Sequence, residues 1–242
     1  MMNKLKKRIV VTGGSGRFAK SLKNKKFKNI FLFPNKEDLN ISNETSILKY
    51  LSKTKPKILI HLAGLSRPLK EHESNISKSI NLNIKGTCNI VLACSKLKIK
   101  LIYFSTSYVY EGTKGNYKET DPILPKNNYA WSKLGGESAV QMYNNSLILR
   151  VCMTEKPFIH KKAFGDVKLN FMFYDEVSNI LIKLLNKKGI INVGGPTKTV
   201  YNFAKKYNSK VKKISAKKVK NVNFPRNMSM NLSKLKKIIK NV

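Results

Sequence analysis

Arg8-Ile-Val-Val-Thr-Gly-Gly-Ser-Gly-Arg-Phe-Ala19 is the stretch whose reading decides the fold. A β-branched, apolar run enters a glycine cluster without a break, so a buried strand passes directly into a tight turn, and a short helix continues to Lys23. The glycine spacing is G-x-x-G-x-x-A. Gly13 permits the turn, Gly16 lets backbone N–H groups approach a pyrophosphate, and the small Ala19 allows close helix-to-strand packing. A glycine trio alone is a weak signal; its place directly after the first strand marks a dinucleotide-binding turn. Gly13, Ser15, Gly16, Arg17 and Phe18 are therefore counted as cofactor-binding.

Strands and helices alternate outward from this unit. Asn29 to Phe33 reads as a second strand, but no acidic residue stands at its end to grip an adenosine ribose. The chain continues Phe33-Pro34-Asn35-Lys36, and Lys36 together with Arg17 would suit a 2′-phosphate. NADP(H) is favoured on that ground, with NAD(H) as the alternative. Asp38-Leu39 follows and is counted with the cofactor residues, and Glu44 to Leu51 is an amphipathic helix. Lys57 to Leu62 is a third strand. His61 on it reads as a packed core residue, whereas Ala63 and Gly64 would leave room for a flat cofactor. Ser74 or Asn75 caps a long helix to about Ser95 that carries Asn83, either a polar surface residue or a buried relay, and Asn83 is counted with the cofactor residues. Leu101 to Ser105, Ser146 to Val151 and Gly189 to Val193 are further strands, with helices at Asn127 to Met142 and Asp175 to Asn186. This alternation predicts an α/β fold, a doubly wound parallel sheet covered on both faces. Residues 1–151 are expected to form the dinucleotide-binding core with the catalytic residues. Residues 152–242 are expected to supply a reduced substrate-binding part and the last sheet elements, Asn208 to Asn223 being lysine-rich and weakly patterned.

Carbonyl chemistry is suggested by Tyr129-Ala-Trp-Ser-Lys133. A Tyr and a Lys four apart share one helix face. The ammonium can favour the phenolate and lower its pKa, while Thr106, at the end of the strand before it, can hold a substrate oxygen. With 10 Tyr and 43 Lys in 242 residues, about 1.8 such pairs arise by chance and three occur. Only Tyr129/Lys133 has a polar strand end before it; Tyr110/Lys114 straddles a loop glycine and Tyr201/Lys205 opens a late helix. Thr106, Tyr129 and Lys133 are the candidate catalytic residues.

The net charge of +35 raises a nucleic-acid or membrane reading. The excess is nearly all Lys spread along the chain, with Arg, the better phosphate clamp, scarce. A solvated lysine surface is expected and no nucleic-acid partner. The three cysteines have no close-spaced pair and no clustered His, so reduced thiols are expected and no metal site. The apolar run Ile9-Val10-Val11 is too short for a signal peptide and no run approaches the ~18 residues of a membrane span. A soluble cytoplasmic protein is expected.

Taken in order, these motifs resemble an extended short-chain dehydrogenase/reductase of the nucleotide-sugar epimerase, dehydratase and reductase kind. They are the Thr12 to Ala19 loop, His61-Leu-Ala-Gly64, Asn83-Ile-Lys-Gly-Thr87, Ser105-Thr-Ser-Tyr-Val-Tyr110 and Tyr129-x-x-x-Lys133. The runs Ser105 to Gly112 and Pro225 to Leu232 look like the dTDP-4-dehydrorhamnose reductase branch. The connection from Val151 to Asp175 is shorter than that family's. The resemblance implies a 4-keto nucleotide-sugar substrate and a nicotinamide lying near Ala63 and Thr106. It also implies that Lys133 touches the cofactor ribose and that Tyr129 donates a proton to the keto oxygen, and it is compatible with a homodimer. An epimerase or dehydratase with bound NAD, or a non-catalytic dinucleotide-binding protein, are the alternatives.

Overall fold

The computed structural model describes residues 9–23, 30–219 and 224–240. In chain order the first half contains β1 (Ile9–Thr12), α1 (Arg17–Lys23), β2 (Phe31–Leu32), α2 (Glu44–Thr54), β3 (Ile58–His61), α3 (Leu69–Ser74), α4 (Ile76–Ser79), α5 (Gly86–Lys96) and β4 (Lys100–Thr106). The second half contains α6 (Asn128–Gln141), β5 (Ser146–Val151), β6 (Met153–Thr154), β7 (Lys162–Phe164), β8 (Lys168–Leu169), β9 (Met172–Phe173), α7 (Tyr174–Leu184), β10 (Gly189–Val193), β11 (Lys198–Thr199), α8 (Val200–Tyr207), β12 (Lys212–Ile214) and α9 (Ser233–Lys240).

Six strands form one sheet in the order β10-β5-β4-β3-β1-β2, and every pairing in it is parallel. The unbroken apolar strands are explained by the layers on both faces. Successive side chains point to opposite faces. Ile9, Val11, Ile58, Ile60, Ile102 and Phe104 join Phe18 and Leu22 of α1, Val177 and Leu181 of α7 and Leu235 of α9 in one core. Val10, Leu59, Leu101 and Tyr103 join Ile47 and Leu51 of α2, Ile90 and Ala93 of α5 and Val140 of α6 in the other. A third core, with Tyr110, Phe158, Val167, Phe173, Phe203 and Met228, lies beyond the sheet.

The doubly wound parallel sheet expected from the alternation is present, with local differences. The second strand keeps only two of its expected residues; Asn29, like Arg8, lies outside the described residues. The long helix begins at Asn75, whose side chain accepts from Lys78 N–H, but a separate α3 precedes it and a π-helical turn, Ile80–Lys85, interrupts it. The lysine-rich stretch contains β12, which pairs parallel with β7, because Val211 and Ala216 are buried in the third core; residues 220–223 lie outside the described residues.

The sheet order sets the position of the cleft. The chain moves outward from β1 to β2 and then returns to lay β3 on the other side of β1, which leaves a crevice at the carboxyl ends of β1 and β3. Two buried features hold that edge. Gly135 and Gly136 of α6 let it press on the π-helical turn: a Cβ on Gly136 would lie 2.6 Å from the Asn83 carbonyl oxygen. Beneath α6, the Glu137 carboxylate is fully buried. It accepts from the Ser105 hydroxyl and from Arg150 Nε and Nη2 at 3.1 and 2.6 Å. Arg150 also donates to the Tyr110 hydroxyl at 2.9 Å, which donates to Asn192 Oδ1 at 2.8 Å. One acid thus joins the ends of β4, β5 and β10. Glu137→Ala leaves the guanidinium buried without its partner and should cost about 3–5 kcal/mol in urea unfolding; a loss near zero would mean that water replaces the carboxylate.

Candidate active site

Turn geometry makes the glycine loop lie flat on the end of β3. Gly13 has φ +70°, and a Cβ there would lie 2.8 Å from the Ala63 nitrogen, so both the dihedral and the contact require glycine. Gly16 N–H closes the turn on the Gly13 carbonyl at 2.9 Å. Thr12 Oγ1 accepts from Leu62 and Ala63 N–H, each at 3.2 Å, and meets His61 Nδ1 at 2.8 Å. His61 Nε2 meets Thr87 Oγ1 at 3.1 Å, and Thr87 in turn donates to the Asn83 carbonyl at 2.7 Å. These donors and acceptors are consistent with a neutral ring carrying its proton on Nε2. Burial, with a smaller contribution from Lys133, lowers the His61 pKa to about 3. His61 is thus the packed residue expected, and it braces the cleft.

The cleft above it has a volume of about 580 Å³ and is lined by Gly13, Ser15, Gly16, Arg17, Phe18, Leu39, Ala63, Gly64, Tyr129 and Lys133 of the expected site residues. Asp38, Asn83 and Thr106 do not line it. The Asp38 carboxylate instead accepts from Asn35 N–H at 3.4 Å, closing a local turn. Asn83 is a buried relay: its side chain accepts from Leu65 N–H at 2.7 Å and donates to the Leu65 carbonyl and to Ser132 Oγ, each at 2.8 Å. It ties the loop after β3 to α6. Of the two cations read as a 2′-phosphate pair, Lys36 lines the cleft beside Pro34 and Asn35. Arg17 is turned towards Glu155, 3.6 Å away.

Helix α6 starts where Asn127 accepts from Ala130 N–H at 3.0 Å, and this start aims Tyr129 and Lys133 at the cleft. The Tyr129 ring is gripped edge-on by His72, with centroids 5.1 Å apart, and by Tyr108 at 6.0 Å. Thr106 stands near the Tyr129 phenol and favours its ionised form; it is buried and accepts from Tyr108 N–H at 3.3 Å. Lys133 places Nζ 4.1 Å from the Tyr103 ring centroid, and the Tyr103 hydroxyl donates to the Lys133 carbonyl at 3.0 Å.

The electrostatics differ from the sequence expectation. Burial raises the Tyr129 pKa above that of an ordinary phenol, opposed by the nearby Thr106 side chain and by Arg67. The expected acidification by Lys133 is not what opposes it, because burial lowers Lys133 itself to about 7, with Glu137 countering. Desolvation outweighs the pair attraction at both groups.

Several residues escaped the sequence reading. His72 is fully buried, meets Ser79 Oγ through Nδ1 at 2.6 Å, and has no hydrogen-bond partner at Nε2 among the described residues. Arg67 and Arg17 flank the mouth of a second cavity of about 600 Å³, whose other walls include Phe158, Phe164, Phe171 and Phe224 together with His160 and Lys162. A signal for some of these was present. Each of the four described arginines is ion-paired: Arg17 and Arg67 with Glu155, Arg150 with Glu137, and Arg226 with Asp166.

Residues 7–155 match the model of the RmlD substrate binding domain. The chain belongs to that family. Among curated relatives, a dTDP-4-dehydrorhamnose reductase of Aggregatibacter actinomycetemcomitans is 27% identical over 202 residues, 78% of this chain and 63% of its own length. Methionine adenosyltransferase 2 subunit beta of Pongo abelii is 26% identical over 156 residues, 60% of this chain and 46% of its own. The chain therefore spans less than two thirds of the length of these relatives. Among solved structures, dTDP-4-dehydrorhamnose reductase of Bacillus anthracis in complex with NADP superposes with a TM-score of 0.85 at 21% identity, over 96% of this chain and 91% of that one. The RmlD-type fold is thus matched over almost the whole chain.

Lys133 provides a check on the site's electrostatics. Its folded pKa lies near 7 and its ordinary value is 10.5. Between about pH 7 and pH 10 the unfolded chain holds the proton that the folded chain has lost, so this group makes stability rise with pH across that window. Lys133→Met should flatten that part of the rise in urea midpoint; identical pH slopes in the two proteins would mean that Lys133 keeps an ordinary pKa.

Proposed function

We propose that the chain is an NADP(H)-dependent reductase of a 4-keto nucleotide sugar, with Thr106, Tyr129 and Lys133 as its catalytic residues. One observation carries the reading: Tyr129, near Thr106 and one helical turn from Lys133, lines a cleft together with a dinucleotide-type glycine loop. The residues fit such a cofactor, since the turn is built so closely on Ala63 that no side chain could replace Gly13. The residues assigned to it are Gly13, Ser15, Gly16, Arg17, Phe18, Leu39, Ala63 and Gly64, with Asp38 and Asn83 acting from behind. NADP(H) is favoured because Lys36, rather than an acid, stands at the end of β2, and because a relative of this fold is described in complex with NADP. NAD(H) is the alternative.

When bound, the nicotinamide supplies hydride to the keto carbon. The raised pKa keeps Tyr129 protonated, which is the form needed to donate to the keto oxygen. Thr106, buried beside the phenol, favours its ionised form and so eases the proton transfer. Lys133, nearly half-protonated at neutrality, supports the phenolate left behind. The second cavity suits the nucleotide part: phenylalanine rings to cover a base, and Arg67, His160 and Lys162 to meet a diphosphate.

A second reading, a dinucleotide-binding subunit without turnover of its own, is favoured by the likeness to a methionine adenosyltransferase beta subunit. NADPH oxidation measured on dTDP-, UDP- and GDP-linked 4-keto sugars separates the two. Net turnover on one of them is expected, and none on any would leave the subunit reading. Tyr129→Phe should lower kcat about 10²–10⁴-fold with NADP binding retained; an active variant would remove Tyr129 from the mechanism.

A homodimer is part of the same proposal. Ile76, Ile80 and Trp131 are 56%, 42% and 49% exposed. Ile80 and Trp131 each lie one turn before Ile84 and Gly135, which pack together, so they share an outward apolar stripe. Light scattering should give a dimer that Trp131→Glu converts to a monomer; a wild-type monomer at micromolar concentration refutes it. A cytoplasmic setting is part of the same proposal, supported by Cys88, Cys94 and Cys152 being free thiols.

A further inference from the structure

The two cavities share two arginines, and both of these reach one carboxylate. Arg17, at the start of α1, and Arg67, in the connection after β3, each line both cavities. Between them sits Glu155, directly after β6, with one oxygen, Oε1, 3.0 Å from Arg67 Nη1 and 3.6 Å from Arg17 Nη1. His160 and Tyr174 also sense this group of charges: Arg67, Arg17 and Glu155 each influence both of them. No acidic residue lines either cavity. Glu155 is thus the counter-ion at a junction otherwise made of cations.

Two arginines converging on a single carboxylate oxygen leave most of their forked donors unused. Both pairs are also partly solvated, the guanidiniums with 53% and 35% of their side-chain surface exposed, so each pair is weak and readily exchanged. A diphosphate offers more oxygens and more charge to the same two forks.

We propose that Glu155 is a displaceable stand-in for a nucleoside diphosphate: it holds Arg17 and Arg67 together across the junction when no ligand is present, and the ligand's diphosphate takes its place. This rests on the nucleotide-binding reading above. It adds that the chain carries its own competitor for that ligand. It also assigns the link between the glycine loop, the β3–α3 connection and the segment after β6 to one exchangeable contact. Ligand entry breaks that link and frees the segment after β6, which carries Phe158, Ile159 and His160 of the second cavity.

The test is calorimetric titration of wild type and Glu155→Gln with NADP+ in one arm and with dTDP and UDP in the other, at low and high salt. Removing the competing charge should tighten binding about three- to tenfold, and the gain should shrink as salt rises because both pairs are partly solvated. The arm in which the gain occurs identifies the diphosphate that displaces Glu155. Unchanged or weaker binding by the variant in both arms overturns the proposal and makes Glu155 a residue that merely orients the arginines. Failure of wild type to bind any of these nucleotides overturns the reductase reading, and this proposal with it. Arg67→Gln should weaken binding in the same arm that Glu155→Gln strengthens, a sign reversal that a general loosening of the fold does not produce.

Discussion

The contact of Gly13 with Ala63 is the constraint on which the remaining architecture depends. A parallel sheet that reverses direction between β1 and β3 leaves a crevice at that edge, and here the two strand ends approach so closely that a single methyl group would not fit. Such closeness is stable only if the backbone groups at the edge are satisfied. Thr12 does this by accepting from two successive N–H groups of the β3 end. His61 and Thr87 extend the chain of hydrogen bonds to the π-helical turn, and Asn83 carries it to α6. The helix with Tyr129 and Lys133 is therefore indexed to the glycine loop through buried polar contacts, each of which would be costly to leave unpaired.

Desolvation governs the chemistry of that edge. It acts against the charged form on four groups: Tyr129 is raised, and Lys133, His61 and His72 are lowered. A phenol that keeps its proton suits proton donation better than anion storage. The charges that remain are paired. Glu137 and Arg150 lie under α6, and Glu155 holds two arginines at the mouth. The inner pair joins three strand ends and is buried from solvent. The outer group is half-solvated and exchangeable. The same residue types thus serve as a rivet in one place and a latch in the other, and burial makes the difference.

Much of this was legible in the residues. The run Ile9 to Ala19 shows strand, turn and helix because a β-branched run, obligatory glycines and a small packing residue leave few other conformations. The register of Tyr129 and Lys133 on one face follows from the helical repeat. The five arginines could have been read further: in a chain where lysine meets most needs for charge, an arginine marks a place that requires a planar fork, and all four described ones are ion-paired. What stayed hidden depends on distant partners. Asn83 could be surface or core until Leu65 and Ser132 were seen to bind it, and His72 sits against Tyr129 from 57 positions away. Arg17 looked like a neighbour of Lys36 and is drawn instead to Glu155.

By itself the sequence determined the sheet, its parallel sense, the glycine turn and the candidate proton donor, because these rest on local sterics and on periodicities of two and 3.6 residues. Tertiary structure alone decided the protonation states and the pairing of charges. A phenol's pKa depends on what surrounds it in space, and the ammonium expected to acidify Tyr129 is itself stripped of water by the same burial. Local spacing can bring two groups to one helix face. Only the packed cleft sets the dielectric between them, and with it which group keeps the proton.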